Sequence, residues 1–431
     1  PSFIDIISSI KASASRSVLT MRLGVNQLLL RLMITLWLHR VQCFRTASSS
    51  FGRVLVTTRR SSFVATSQRH HHQSPRRMLM SSTSSSEDDT SKSTVAIVGS
   101  GAVGGYYGTR LWEAGHDVTF HMRGEHFEQS KAHGLNVTSV AGDMFIPPDK
   151  LKVFEDTSDM GTFDWVVVAL KSSSLNAIPD LIYPLLRPDT RVLNIMNGLI
   201  EEDVLSSLAK KDGKDCSDHD ASLTCCAAVY GGMALLCSNR VGPGHIDHSY
   251  AGMLSGGVAA SSSTDVTNPD KDRQAFEDLW KPVTKVDTAY ESSLLRGRWK
   301  KNVWNLPFNG ISVAMGGITI DTLVNDPGLR QLAYIIMDET IAIANEDLRQ
   351  NGYDDESWYL GEAEKKQMMD LSDAMGPYKT STMLDLVERR PMEVEYLFRK
   401  PLERAERLGV KAPHLETLVL LIEATQKRLK L

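Results

Sequence analysis

The chain has 431 residues, 42% of them hydrophobic and 23% charged, the balance of a soluble globular protein with room for two ordinary domains and an appendage. Its net charge of −4 conceals a split: residues 1–86 carry twelve Lys and Arg against Asp5 alone, a charge of +11, so the rest of the chain carries −15. That acidic body weighs against nucleic-acid binding, and five cysteines (Cys43, Cys216, Cys225, Cys226, Cys237) without CxxC spacing weigh against a disulfide framework or a cysteine zinc site.

Residues 1–93 read as a leader and linker rather than a domain. Arg supplies eleven of the twelve basic residues, Ser is abundant, and acids are nearly absent before Glu87. This is the composition of an organelle transit peptide, so the expected location is mitochondrion or plastid, with Met78 or Met80 as the start of a cytoplasmic form. The apolar run Leu23–Leu38 is short and contains Arg31, which suits a signal-peptide core better than a spanning helix. His70, His71 and His72 have no further ligand at metal spacing, and "SSTSSSEDDTSKS" (81–93) is a linker by composition. No membrane partner is expected.

Order is expected from Thr94, in a dinucleotide-binding domain spanning 94–288. "TVAIVGSGAVGGYYGTRLWEAGHDVTFHMRG" predicts a buried strand (Val95–Val98), a glycine turn, a helix to about Ala114 and a second strand (Asp117–His121). Gly99, Gly101 and Gly104 have the G-x-G-x-x-G spacing: a tight turn, a close approach of backbone to pyrophosphate, and helix packed on strand. Ser100, Ala102 and Val103 fall in the same turn and helix start, whose free N–H groups and dipole suit phosphate. Where an NAD site would place an acid after the second strand, this chain has Arg123, whose charge and donor fork suit a 2′-phosphate and hence NADP. A surface arginine without a ligand is the alternative, and Glu125 stands nearby.

"DWVVVALKSSS" (164–174) predicts an apolar strand ending in Lys171, and "RVLNIMNGLIEEDVL" (191–205) another ending at Asn197-Gly198. Polar residues at the C-terminal ends of parallel strands face the crevice where such sheets bind ligands, which makes Lys171 and Asn197 candidates. The bland alternative is a helix-start lysine and a plain turn. Residues 211–223 and 261–274 look like loops, and "HIDHSYAGMLSGGV" (245–258) like an edge hairpin.

From 289 to 431 the pattern is helical, with helices expected at 329–352, 393–410 and 414–429 and no strand after about 290. In "RWKKNVWNLPFNG" (298–310), Lys301, Asn305 and Asn309 recur every fourth residue and so share one helix face, drifting about 40° per step. Such a row is either a solvated stripe or the lining of a polar cavity. Pro307 should kink or end that helix near Asn309. The scattered histidines show no ligand spacing, so no metal is expected.

The glycine fingerprint, then the Lys-x3-Asn-x3-Asn row, then "TSTMLDLVERRPMEVE" (380–395), in this order, resembles the ketopantoate reductase (2-dehydropantoate 2-reductase) family over about residues 94–431. Many families share the glycine loop; the Lys/Asn row and the Ser-x3-Asp-x7-Glu run are far more specific. The resemblance implies an α/β fold class: an N-terminal Rossmann dinucleotide-binding domain followed by an all-helical C-terminal domain, the 6-phosphogluconate dehydrogenase-like plan. It implies Lys301 as catalytic lysine and proton donor, with Glu393 pairing with it and contacting cofactor. Asn305, Asn309 and Ser381 would bind substrate, Arg123 the 2′-phosphate, and Lys171 and Asn197 further parts of cofactor and substrate. Asp385, read on its own, is assigned to a helix face or a supporting hydrogen bond, not to catalysis. The expected activity is NADPH-dependent reduction of 2-dehydropantoate to pantoate, on the way to pantothenate and coenzyme A, by a monomer or homodimer. "WNLPFNG" looks like a divergent branch, where another 2-keto acid is possible. A 3-hydroxyacid dehydrogenase-like enzyme and a non-catalytic NADP-binding sensor are the competing readings.

Overall fold

The computed structural model describes residues 92–211, 225–262 and 270–431. The leader, its apolar run, the His70–His72 run and most of the two expected polar loops lie outside them.

Among the described residues ten strands form one sheet. Its parallel centre is built from β1 (Thr94–Val98), β2 (Asp117–His121), β5 (Lys152–Phe154), β6 (Trp165–Val168), β7 (Arg191–Asn194) and β8 (Ala228–Gly242), in the spatial order β5-β2-β1-β6-β7-β8. That is the doubly wound order, and the chain reverses direction across the sheet between β1 and β6. The crevice outside the C-terminal ends of these two strands is therefore where the fold opens to a ligand. Both faces of β1 and β6 are covered. Val95 and Ile97 with Trp165 and Val167 enter one core, and Ala96 and Val98 with Val166 and Val168 the other. Burial on both sides is why these strands are continuous apolar runs. β6 stops at Val168, three residues short of the expected end at Lys171, and β7 stops at Asn194 before Asn197.

Segment 245–258 is not at an edge. It belongs to β9 (His245–Ser261), which pairs antiparallel with β8 and parallel with β3 (Leu135–Ser139) and β10 (Thr288–Tyr290). The β8–β9 ribbon is bulged in several places, which disrupts the alternation a sequence reading depends on. β4 (Met144–Ile146) forms the far edge. Helices α1 (Ala102–Glu113), α2 (Gly124–His133), α3 (Ile178–Ile182), α4 (Glu201–Lys211) and α5 (Lys271–Trp280) complete this half.

After Tyr290 the elements are helical: α6 (Leu294–Ala314), α7 (Ile320–Asn325), α8 (Pro327–Gln350), α9 (Glu362–Ala374), α10 (Ser381–Val387), a π-helical turn (Glu395–Arg399), α11 (Lys400–Leu408) and α12 (Pro413–Leu429). α6 begins where Ser293 Oγ accepts the Arg296 N–H (3.2 Å) and runs through Pro307 to Ala314. It does not end near Asn309. A proline inside a helix costs about 3 kcal/mol. Leu306, Phe308, Ile311 and Val313 around it are buried in the helical core, and each such side chain returns about 1.5–3 kcal/mol. Packing therefore overrides the local penalty. No helix of the described residues is long and apolar enough to cross a membrane.

Candidate active site

The glycine turn after β1 has three different requirements at its three glycines. Gly99 has φ +92°, and a Cβ there would lie 2.8 Å from the Ala169 carbonyl oxygen. A Cβ on Gly104 would fall 2.3 Å from the Gly99 carbonyl oxygen, so α1 can pack on β1 only without one. At Gly101 a Cβ would meet nothing within 4 Å. Here the open space outside the helix N-terminus, not the protein, favours the bare backbone, and it is the cradle a pyrophosphate would fill. The residues present thus fit a dinucleotide.

Ser100 is buried and braces the turn rather than lining it. Its Oγ donates to the His121 carbonyl (2.9 Å), while His126 Nε2 donates to the Ser100 carbonyl (2.8 Å) and His126 Nδ1 accepts the Gly244 N–H (2.9 Å). Ala102 and Val103 open α1. Arg123 is exposed at the start of α2, where the Gly124 N–H donates to Glu155 Oε1 (3.0 Å).

Across the crevice, Lys301, Asn305 and Asn309 do lie on one face of α6, and the two asparagines are only 6% and 1% exposed. The solvated-stripe reading ends there. Asn309 Nδ2 donates to Asn305 Oδ1 (3.3 Å), and Asn309 Oδ1 accepts the Thr382 N–H in the first turn of α10 (3.3 Å). Ser381, exposed, is the residue beside that N–H. Asn305 Nδ2 is buried without a hydrogen-bond partner among the described residues, a donor that a substrate oxygen would satisfy.

Lys301 is half-buried, and its Nζ donates to Asn197 Oδ1 (2.7 Å) from the turn between β7 and α4. Burial and the neighbouring Arg298 guanidinium pull its pKa down to about 7, against the opposing field of Glu393. The expected direct pairing of Lys301 with Glu393 is not what the structure has. Glu393 Oε1 instead accepts from the Ser172 N–H (2.7 Å) and Oγ (2.8 Å), and acts on the lysine through space. Lys171 Nζ pairs with Asp385 Oδ1 (2.6 Å), a 3%-exposed carboxylate that also accepts from Arg390 Nε (3.0 Å).

Sequence reasoning missed Ser172, Arg298, Glu201 and Glu155. No periodicity marks them; Arg298 alone had a cue, one helical turn ahead of Lys301. Among the described residues no group of three or more His, Cys, Asp or Glu is placed to hold a metal.

A dinucleotide cradle on a doubly wound sheet, facing a Lys/Asn row with buried asparagines on a helical domain, defines a two-domain oxidoreductase plan. The family model "Ketopantoate reductase PanE/ApbA" matches residues 95–260, and "Ketopantoate reductase PanE/ApbA C terminal" matches residues 293–426. A 2-dehydropantoate 2-reductase of Nostoc sp. is 34% identical over 324 residues, covering 75% of this chain and 92% of that protein. The crystal structure of 2-dehydropantoate 2-reductase from Geobacter metallireducens GS-15 is 32% identical, with a TM-score of 0.65 over 77% of this chain and 99% of that one. The fold is also that of a D-mandelate dehydrogenase solved with NADH and anilino(oxo)acetate, at 18% identity and a TM-score of 0.63 over 78% of this chain and 99% of that one. The chain belongs to the ketopantoate reductase family, a family of dinucleotide-dependent oxidoreductases.

Proposed function

We propose that the protein reduces 2-dehydropantoate to pantoate with NADPH. The observation that carries this reading is the Lys301–Asn197 contact at 2.7 Å beside the unpartnered amide of Asn305, within a family whose Nostoc member has that activity in its name. A bound nicotinamide dinucleotide would supply the hydride. The residues of this chain handle the rest. Reduction of the 2-keto carbon leaves negative charge on its oxygen, which needs a proton from a placed donor. Lys301 Nζ has three N–H donors. One is spent on Asn197, and the others are available to the cleft. With its pKa near 7, the ammonium can release a proton at neutral pH and remain, as the amine, a donor to Asn197. Asn305 Nδ2 fixes the carbonyl or carboxylate, Asn309 holds Asn305 in the required orientation, and Ser381 completes the anion site. Such anchoring is worth several kcal/mol of barrier. Arg123 takes the 2′-phosphate.

The test follows NADPH absorbance with the full chain, ketopantoate and an NADH control, beside Lys301→Ala. Ketopantoate reduction with NADPH preferred is expected, with kcat lower by about 100-fold or more in the variant. Because the acid must be protonated, kcat/KM should be flat below about pH 7 and fall above it. Turnover that survives Lys301→Ala would remove the lysine from this role. One observation favours a second reading of the cofactor: Glu155 beside Arg123 is the kind of acid that suits the 2′-OH of NADH, and the NADH control distinguishes the two.

A further inference from the structure

Arg298 stands one helical turn ahead of Lys301 and is 2% exposed, yet it carries a full charge. Four hydrogen bonds hold it: Nε donates to Glu201 Oε1 (2.7 Å), Nη1 to the carbonyls of Met196 (2.7 Å) and Gly232 (3.1 Å), and Nη2 to the carbonyl of Asn194 (3.4 Å); Nη2 also forms an ion pair with Glu201 Oε1 (2.5 Å). Gly231 makes the space for Glu201: a Cβ there would lie 2.5 Å from Glu201 Oε1. Two of the three carbonyls belong to the β7–α4 turn on the N-terminal side of Asn197. The same helix therefore holds the backbone of that turn with Arg298 and the side chain at its tip with Lys301.

We propose that Arg298, held by Glu201, is a positioning residue that fixes the Asn194–Gly198 turn so that Asn197 Oδ1 receives Lys301 Nζ. Its consequence for turnover rests on the reductase reading; the positioning itself does not. A planar fork suits the task because it binds three carbonyls and a carboxylate at once, which a lysine cannot do with one nitrogen. The charges acting on Lys301 are Arg298 from its own helix and Glu393 from the segment before the π-helical turn; Asn197, from the β7–α4 turn, is neutral.

The experiment is a double-mutant cycle in the full chain between Arg298→Lys, which keeps the charge and loses the fork, and Asn197→Ala. It is read in two ways: as kcat and KM with ketopantoate and NADPH, and as the pH titration of Lys301 itself, followed by competitive acetylation and peptide mass spectrometry. Arg298→Lys should lower kcat by about 10- to 100-fold, as small misplacements near reacting groups do, with KM for NADPH unchanged. Added to Asn197→Ala it should lower kcat little further, because both act on one contact. The Lys301 titration should shift in each single variant, and no further in the double. Additive effects, or a wild-type kcat and titration in Arg298→Lys, would overturn the proposal. If the wild type does not reduce ketopantoate, the reductase reading falls and the titration arm alone decides the positioning. If Arg298→Lys does not fold, Glu201→Gln, which keeps the guanidinium and the volume, replaces it in the same cycle with the same expected non-additivity.

Discussion

The two walls of the cleft are made differently. On the sheet side the cradle is backbone: three glycines and a helix N-terminus, braced by Ser100 and by the neutral imidazole of His126. On the helical side it is side chains, and each is held by a partner far away in sequence: Lys301 by Asn197, Glu393 by Ser172, Asp385 by Lys171, Arg298 by Glu201. A wall made of backbone tolerates change according to the space around each Cα. A wall made of side chains tolerates it according to whether both partners survive.

The sharpest way to break the first wall is Gly104→Ala, set against Gly101→Ala. The new methyl at 104 meets a backbone oxygen at 2.3 Å, so the α1–β1 packing must open. An overpacked core typically loses about 1–3 kcal/mol, and the cradle goes with it. At 101 the methyl meets nothing, and φ of −74° suits any residue, so stability should stay within about 0.5 kcal/mol. Its cost should appear in the dinucleotide alone, as a Kd raised about tenfold or more, equivalent to about 1.4 kcal/mol. Thermal melts and NADPH titrations of the two variants check this. Equal destabilisation of both would mean the open space at Gly101 is not the cofactor's.

The same difference decides what could be read from sequence. A backbone wall leaves a fixed spacing: Gly99, Gly101 and Gly104 are legible because the turn admits no other arrangement, and β1 and β6 because burial on both faces makes them apolar throughout. The Lys301, Asn305, Asn309 row was legible because one helix carries it. The partners were not. Nothing in "GLIEED" or "KSSS" marks Glu201 for Arg298 or Ser172 for Glu393, since each meeting is made by the topology about a hundred or more residues later. The placing of 245–258 at an edge failed for a related reason: bulges and glycines blur the alternation of a strand that is in fact flanked by β8 and β3. Pro307 misled because a buried helix answers to its core rather than to its local propensity.

Mild acid should separate the two walls next. His116, His121, His126 and His248, all in the sheet half, have pKa values held below the ordinary 6.5, in each case first by burial. A depressed histidine pKa means the unfolded chain binds the proton more readily. The stability these groups contribute is therefore complete above 6.5 and is lost as pH falls from there toward their folded values. For His126 the added proton also abolishes the acceptor that holds the Gly244 N–H. In the helical half, Asp373, lowered by its Arg330 hydrogen bonds, and Glu346, held near 2 by Arg349, contribute fully above the ordinary carboxylate values of 3.8 and 4.5 and lose that contribution only as pH falls from there. Hydrogen exchange at pH 7.5 and pH 5.5, corrected for intrinsic rates, should show protection lost in peptides of β1, β2, α1 and β9 while α6 and α8 keep theirs. Loss spread evenly over both halves would remove the histidines as its cause.

The smallest expected effect falls where the backbone wall meets a side chain. Glu155, at the end of β5, accepts the Gly124 N–H at the first turn of α2, beside Arg123. A helix N-terminus and an arginine together attract a 2′-phosphate, and a carboxylate already seated there offsets both. Glu155→Gln keeps an oxygen for the N–H and removes the charge. KM for NADPH should fall about two- to fivefold, the size of one exposed charge at a helix end, while KM for NADH stays put, since NADH brings no phosphate to repel. The ratio of the two is the measurement, because it cancels any general change in the cleft. If instead the variant loses NADH and leaves NADPH unchanged, Glu155 is a ribose ligand, and the cradle is built for the unphosphorylated dinucleotide.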